Sequence, residues 1–111
     1  MSKEGITVDH SMFYITAETM KEAETISKQL VEDRLAACVN VFPQTRSFFY
    51  WEDKAKSEDE VLMIGKTRTA LVEKLIDRVN ELHSYEVPCV VTWEINNGDP
   101  DFLGWIDEET S

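Results

Sequence analysis

Four consecutive bulky aromatics, Phe48-Phe49-Tyr50-Trp51, constrain this chain more than any other feature. They close a stretch, Thr45 to Trp51, with the composition of a strand, and successive strand side chains point to opposite faces. One layer of helices therefore cannot cover all four. A chain of 111 residues has room for one core and no second domain. Some of the four fill the protomer's own core; the others need cover from outside it.

The remaining periodicity sets that stretch in a definite order of elements. Residues 1–10 read as a flexible polar tail, with His10 a solvated member of it, and residues 11–111 as a single domain. Met12-Phe13-Tyr14-Ile15-Thr16 is rich in aromatic and β-branched types and predicts a first strand. Thr19-Met20-Lys21-Glu22 fits a capping box, and Met20, Ala23, Ile26, Ser27, Leu30 and Val31 follow helical spacing. Leu35 to Phe42 predicts a second strand, bent at Pro43 and resuming through Trp51. Glu52 to Glu60, with five acids and two lysines, reads as a polar turn before a returning strand, Glu60 to Thr67. A second helix carries Leu71, Leu75, Val79 and Leu82 on one stripe, with Thr69 as its N-cap. Cys89 to Ile95 is a fourth strand, and a short terminal helix follows from Asp101 to Glu109.

The order β-α-β-β-α-β predicts an α+β, ferredoxin-like fold with a long hairpin between its second and third strands. Both main helices then lie on one face of the sheet and leave the other bare. The second strand is also a long apolar edge. Bare face and open edge together predict a homo-oligomer.

Charge and cysteine usage narrow the function. The net charge is −11, and all eleven Lys and Arg lie at or before Arg78, so Val79 to Ser111 holds eight carboxylates and no cation. Such a chain repels phosphate backbones and anionic lipid, which argues against nucleic acid and membrane partners. No apolar run approaches the length of a spanning helix. Two cysteines without a CxxC spacing, and no export signal in MSKEGITVDH, point to a reducing cytoplasm.

Few residues suggest chemistry. His83-Ser84-Tyr85-Glu86-Val87-Pro88 gathers an imidazole, a phenol and a carboxylate at a helix C-terminus, where the helix dipole and Glu86 favour imidazolium. The plainer reading is that His83 caps helix carbonyls and Tyr85 packs. Cys38, beside two alanines, reads as a small buried hydrophobe before it reads as a nucleophile. Lys66, next to Thr67 and Arg68, holds an anion or pairs with neighbouring carboxylates, the second being the commoner outcome. No HxxxH, paired cysteines, GxSxG, Walker loop or GxGxxG occurs, so no closed metal site or enzyme is expected.

Five segments in register resemble the CutA divalent-ion (copper) tolerance family: Arg34-Leu35-Ala36-Ala37-Cys38-Val39-Asn40, Tyr50-Trp51-Glu52, Lys66-Thr67-Arg68, His83 to Pro88, and Asp101-Phe102-Leu103-Gly104-Trp105. The resemblance implies a tight homotrimer built by edge-to-edge pairing of the long hairpins, and a part in cytoplasmic tolerance of divalent cations, copper above all. It brings no enzymatic activity. The likeness of this architecture to trimeric PII signalling proteins implies, as an alternative, a module binding a small ligand or protein between subunits. Copper-binding members of the family place a cysteine at the end of the first strand and two adjacent histidines at the end of the second helix. Here those positions are Ile15, Leu82 and His83, so His83 alone is retained and copper binding is weakened. The family cleft maps onto Cys38, Trp51, Lys66, Tyr85 and Glu86.

Overall fold

The computed structural model describes residues 9–111. The elements run β1 (His10–Ala17), α1 (Met20–Glu32), β2 (Cys38–Trp51), β3 (Lys54–Arg68), α2 (Val72–Leu82), β4 (Val90–Glu94) and α3 (Pro100–Glu109). The strands form one sheet in the order β2-β3-β1-β4, with every neighbouring pair antiparallel. This is the ferredoxin-like arrangement expected from the order of elements. His10, expected in the tail, is instead the first residue of β1, where its Nε2 lies 2.9 Å from Asp107 Oδ1. The rest of the tail, residues 1–8, falls outside the described residues.

Alternation along the strands divides the sheet into two unlike faces. Phe13, Ile15 and Ala17 of β1 and Val61 and Met63 of β3 are buried against Ala23, Ile26 and Leu30 of α1 and Leu75 and Val79 of α2. Met12, Tyr14 and Thr16 face the other way, level with Lys66, Ile64 and Leu62 of β3 and, for the first two, with Trp93 and Val91 of β4. That second face is not entirely bare, contrary to expectation. Asp107 of α3 reaches His10, and Thr110 accepts from Arg68 Nε at 2.8 Å through its hydroxyl, so α3 covers one end of it.

The capping box forms with one change. The Thr19 hydroxyl accepts from Glu22 N–H at 3.1 Å, but the Glu22 carboxylate reaches back to the Glu18 N–H rather than to Thr19. Thr69 is not a helix cap: it opens a 3-10 turn, Thr69–Leu71, and its hydroxyl bonds that of Ser11 at 2.8 Å.

The largest departure is in the hairpin. The acidic stretch expected to be a turn is strand: only Glu52 and Asp53 turn, and β3 begins at Lys54. Both turn residues have positive φ, 52° and 64°, the left-handed pair that a two-residue hairpin turn requires. Polar residues suffice there because this part of β3 pairs only with β2. The β1–β3 ladder stops at Ala17↔Val61, whereas β2–β3 pairing continues to Trp51↔Lys54. A two-stranded ribbon therefore projects beyond the sheet and gives the molecule extents of 52 × 28 × 22 Å. A register shift between Phe42 and Thr45 accommodates Pro43, as the expected bend required.

None of the four aromatics enters the protomer's core. Phe48, Tyr50 and Trp51 are 78%, 73% and 60% exposed, and Phe49 is at 36%.

Gly65 marks where β3 presses on the core. A Cβ there would stand 2.1 Å from Phe13 Cζ and 2.6 Å from the Cys38 carbonyl oxygen. Gly65→Ala is expected to destabilise the fold by about 2–3 kcal/mol, through overpacking against a ring and a backbone that cannot both yield. Denaturant unfolding of the two proteins side by side reads this directly.

Candidate functional site

The loop after α2 is fixed by buried polar groups. His83 is the C-cap of α2, its N–H bonding the Val79 carbonyl at 2.9 Å, and its side chain is fully buried. Tyr85 N–H donates to Nδ1 at 3.0 Å, which leaves Nε2 to carry the ring proton and donate to the Thr16 carbonyl at 2.7 Å. Both nitrogens are thus engaged in the neutral form. The carboxylate beside the ring is Glu22, at 3.7 Å from Nδ1, and not the exposed Glu86. Nor does the ring cap helix carbonyls; its acceptor belongs to β1.

Glu22 joins the start of α1 to the end of α2. One carboxylate oxygen accepts from Ser84 N–H at 2.7 Å and the other from Glu18 N–H at 3.4 Å. Burial acts to raise its pKa, but the bonds from Ser84 and Glu18 outweigh it and hold the carboxyl below its ordinary value.

Tyr85 carries the loop across to the base of the ribbon. Its ring lies 4.7 Å from that of His83, and its hydroxyl donates to Glu60 Oε2 at 3.1 Å. The other Glu60 oxygen accepts from Ser47 at 2.6 Å. Burial, and then the Glu60 carboxylate accepting its proton, push the Tyr85 phenol well above its usual range. Cys89, beside Thr16, is likewise raised, by burial first.

Between loop and ribbon runs a groove of about 920 Å³ whose walls include Trp51, Phe49, Tyr85, Glu86, Cys89 and Glu60. Three of the expected cleft residues, Trp51, Tyr85 and Glu86, therefore meet in one protomer. Cys38 and Lys66 do not join them. They stand opposite each other in the β2–β3 ladder, with Lys66 Nζ 3.8 Å from Cys38 Sγ, six residues along β3 from Glu60, or about 20 Å. Nothing couples Cys38 to His83, which is level with Thr16 at the other end of β1.

Glu22, Glu60, Thr16 and Cys89 belong to this region and were not singled out by the sequence. Glu22 was visible only as a cap, and Glu60 is one acid among five in its stretch. Thr16 takes part through its carbonyl, which no side-chain pattern reveals.

Among the described residues, no three His, Cys, Asp or Glu side chains converge as a metal site. With Ile15 and Leu82 apolar and both His83 nitrogens bonded, the residues here do not fit a resident metal ion. No helix of the described residues is long and apolar enough to cross a membrane.

Comparison with known proteins places this geometry. Residues 11–109 match the family model described as CutA1 divalent ion tolerance protein. The divalent-cation tolerance protein CutA of Archaeoglobus fulgidus is 48% identical over 99 residues, covering 89% of this chain and 96% of that protein. A chloroplastic CutA of Arabidopsis thaliana is 36% identical over 110 residues, and here the chain spans 60% of its relative's length. Among solved structures, CutA1 from Oryza sativa superposes with a TM-score of 0.91 at 32% identity, covering 95% of this chain and 96% of that one. The A. fulgidus structure, described as a periplasmic CutA, gives 0.89 at 45% identity, covering 92% of this chain and 99% of its own.

The Glu22 tether predicts a pH-dependent contribution to stability. A carboxyl whose pKa is lower folded than unfolded adds stability above its ordinary value of 4.5, and that stability is lost as pH falls through the folded value. Glu22→Gln is expected to cost about 1–2 kcal/mol at pH 7 and progressively less on acidification below that value. Chemical denaturation of both proteins from pH 7 to 3 gives the difference. An equal cost at every pH would show that the charge plays no part.

Proposed function

Because the chain belongs to the CutA1 divalent ion tolerance family, we propose that it acts as a non-catalytic homotrimer in the cytoplasmic response to divalent cations, copper among them. The observation that carries the assembly is the projecting ribbon. Its aromatics alternate between both faces, its β2 edge is unpaired, and a lone two-stranded ribbon is marginal in water. Burying each aromatic against a neighbour contributes roughly 1.5–3 kcal/mol. Edge-to-edge pairing of ribbons supplies that cover. The free thiols of Cys38 and Cys89 suit a reducing compartment.

Copper binding, centred on His83, is weak in this reading. An ion must displace the Tyr85 N–H from Nδ1 and finds no second histidine and no cysteine at positions 82 and 15.

The groove favours a second reading, an intersubunit module of the PII type that binds a small molecule or a protein. Trp51, Tyr85 and Glu86 line it in one protomer, and in this reading a neighbouring protomer brings Cys38 and Lys66 to it.

Light scattering is expected to give three times the 12.8 kDa protomer mass. Trp51→Asp and Phe48→Asp together should lower that mass, and a monomeric wild type would overturn the assembly. Calorimetric titration with Cu(II) should show heat that saturates only at high copper and is lost in His83→Ala, with circular dichroism confirming that the variant folds. Unchanged copper affinity in that variant would reject His83 as the ligand.

A further inference from the structure

The chain holds four asparagines, and asparagine is among the chemically labile residues. The structure guards two of them. Asn40 lies in β2 opposite Ile64, its amide oxygen accepts from Lys66 Nζ at 3.4 Å, and the β-branched Val41 follows it. Asn80 lies in α2, where its amide nitrogen donates to the Ile76 carbonyl at 3.0 Å and the next N–H, that of Glu81, serves the helical ladder. Asn96 and Asn97 are exposed in the loop between β4 and α3, and no hydrogen bond to another described residue holds either side chain. Only Asn97 precedes a glycine.

That neighbour decides the chemistry. The carboxamide carbon of an asparagine is an electrophile within reach of the next residue's backbone nitrogen, and Gly98 has no Cβ to obstruct the approach. Gly98 belongs to no helix or strand, and its N–H donates to no acceptor among the described residues. Nothing therefore has to break before that nitrogen can turn on the Asn97 side chain.

We propose that Asn97 is a site of spontaneous covalent modification, closing with Gly98 to a succinimide that opens to aspartate or isoaspartate. The Gly98 nitrogen gives its proton to solvent hydroxide and forms a bond to Asn97 Cγ. The Cγ–Nδ2 bond breaks, and ammonia departs with a proton taken from water. Water then opens the five-membered ring. Attack at Cγ restores the ordinary main chain with aspartate at 97, whereas attack at the main-chain carbonyl carbon routes the chain through Cγ as isoaspartate.

Both products bear on α3. Gly98 precedes the cap, Asp99, whose carboxylate accepts from Phe102 N–H at 3.0 Å and whose carbonyl accepts from Leu103 N–H at 2.9 Å. Gly98 also packs on Leu103, so closely that a Cβ would stand 3.1 Å from Leu103 Cδ2. Aspartate at 97 adds a carboxylate near the helix N-terminus, where the dipole favours one. Isoaspartate instead lengthens the backbone by one atom just before the cap, so Gly98 and Asp99 cannot both keep their places against Leu103. The far end of α3 stays tied, through Asp107 to His10 and through Thr110 to Arg68. Isoaspartate thus loosens the first turn of α3 and leaves its last turn fastened.

The full-length protein, in the assembly it adopts and with its solution mass recorded, is held for weeks at neutral pH and physiological temperature, and its peptides are read by mass spectrometry. Asn97 is expected to exchange its side-chain NH2 for OH roughly tenfold or more faster than Asn40, Asn80 or Asn96. Part of the product should accept a methyl group from S-adenosylmethionine in the presence of an isoaspartyl methyltransferase. Gly98→Ala places its Cβ against only the flexible Leu103 side chain and needs no left-handed backbone, so circular dichroism and solution mass should match the wild type. Its Asn97 is expected to convert roughly tenfold more slowly. An Asn97 that stays intact in the folded protein while converting in the urea-unfolded chain would show that fold or assembly shields the loop, and overturns the proposal. An unchanged rate in Gly98→Ala overturns it equally.

Discussion

β3 is 15 residues long and β1 only 8, and most of what is distinctive in this molecule follows from that mismatch. Where β1 runs out, β3 keeps a single neighbour, and the sheet narrows to a ribbon with two open faces. The ion pairs on it, such as Arg46 with Asp59, are solvent-exposed and contribute little. Its apolar content lies in Phe48 and Tyr50 on one face and Phe49 and Trp51 on the other. The same mismatch creates the groove, because the loop after α2 docks where β1 ends. Glu60, the last β3 residue before the ladder with β1 begins, receives Tyr85 from the loop and Ser47 from β2. The exposed ribbon aromatics and the groove therefore share one wall.

His83 is the hinge pin of that docking. A buried neutral imidazole with both nitrogens paired is a satisfied structural group: losing either bond leaves a buried polar atom exposed to the full desolvation penalty. It joins the end of α2 to the end of β1, and Glu22 adds the start of α1 through Ser84. Three element ends meet at one ring, which is why the most site-like segment of the sequence turns out to be so thoroughly engaged with its own protein.

Fold and family were legible from residues whose patterns are local. Phe13 and Ile15 alternate, Ala23, Ile26 and Leu30 repeat at helical spacing, and the order of these elements leaves one compact topology. The ribbon was legible only by half. Strand propensity mostly reports burial on a pleated surface, and Lys54 to Glu60 has no third strand or helix to be buried against, so its charge looked like a turn. Glu52-Asp53 carried the true turn signal inside a run of acids. What α3 covers was not legible at all, since a short helix with Phe102, Leu103 and Ile106 does not announce which face of a sheet it will meet. Of the expected cleft residues, Trp51, Tyr85 and Glu86 converge because one loop and one ribbon bring them together, while Cys38 and Lys66 lie further along the same ladder.

Charge distribution reconciles a strongly acidic chain with self-association. In the proposed trimer, three protomers of net charge −11 would repel one another, and an edge strand is ordinarily guarded by charges that discourage pairing. β2 lacks that guard: from Cys38 to Trp51 it contains no carboxylate and one cation, Arg46, in a chain with 22 acids. The acids of the hairpin sit instead on β3, which is already paired, and in the turn. Among the described residues, this acid-free edge flanked by exposed aromatics lets an identical neighbour meet backbone donors and apolar surface before it meets like charge. At physiological salt the remaining repulsion is screened beyond about 8 Å, whereas strand pairing and aromatic burial act at contact. For the proposed assembly, short-range attraction concentrated on β2 opposes a long-range repulsion spread across the rest of the surface.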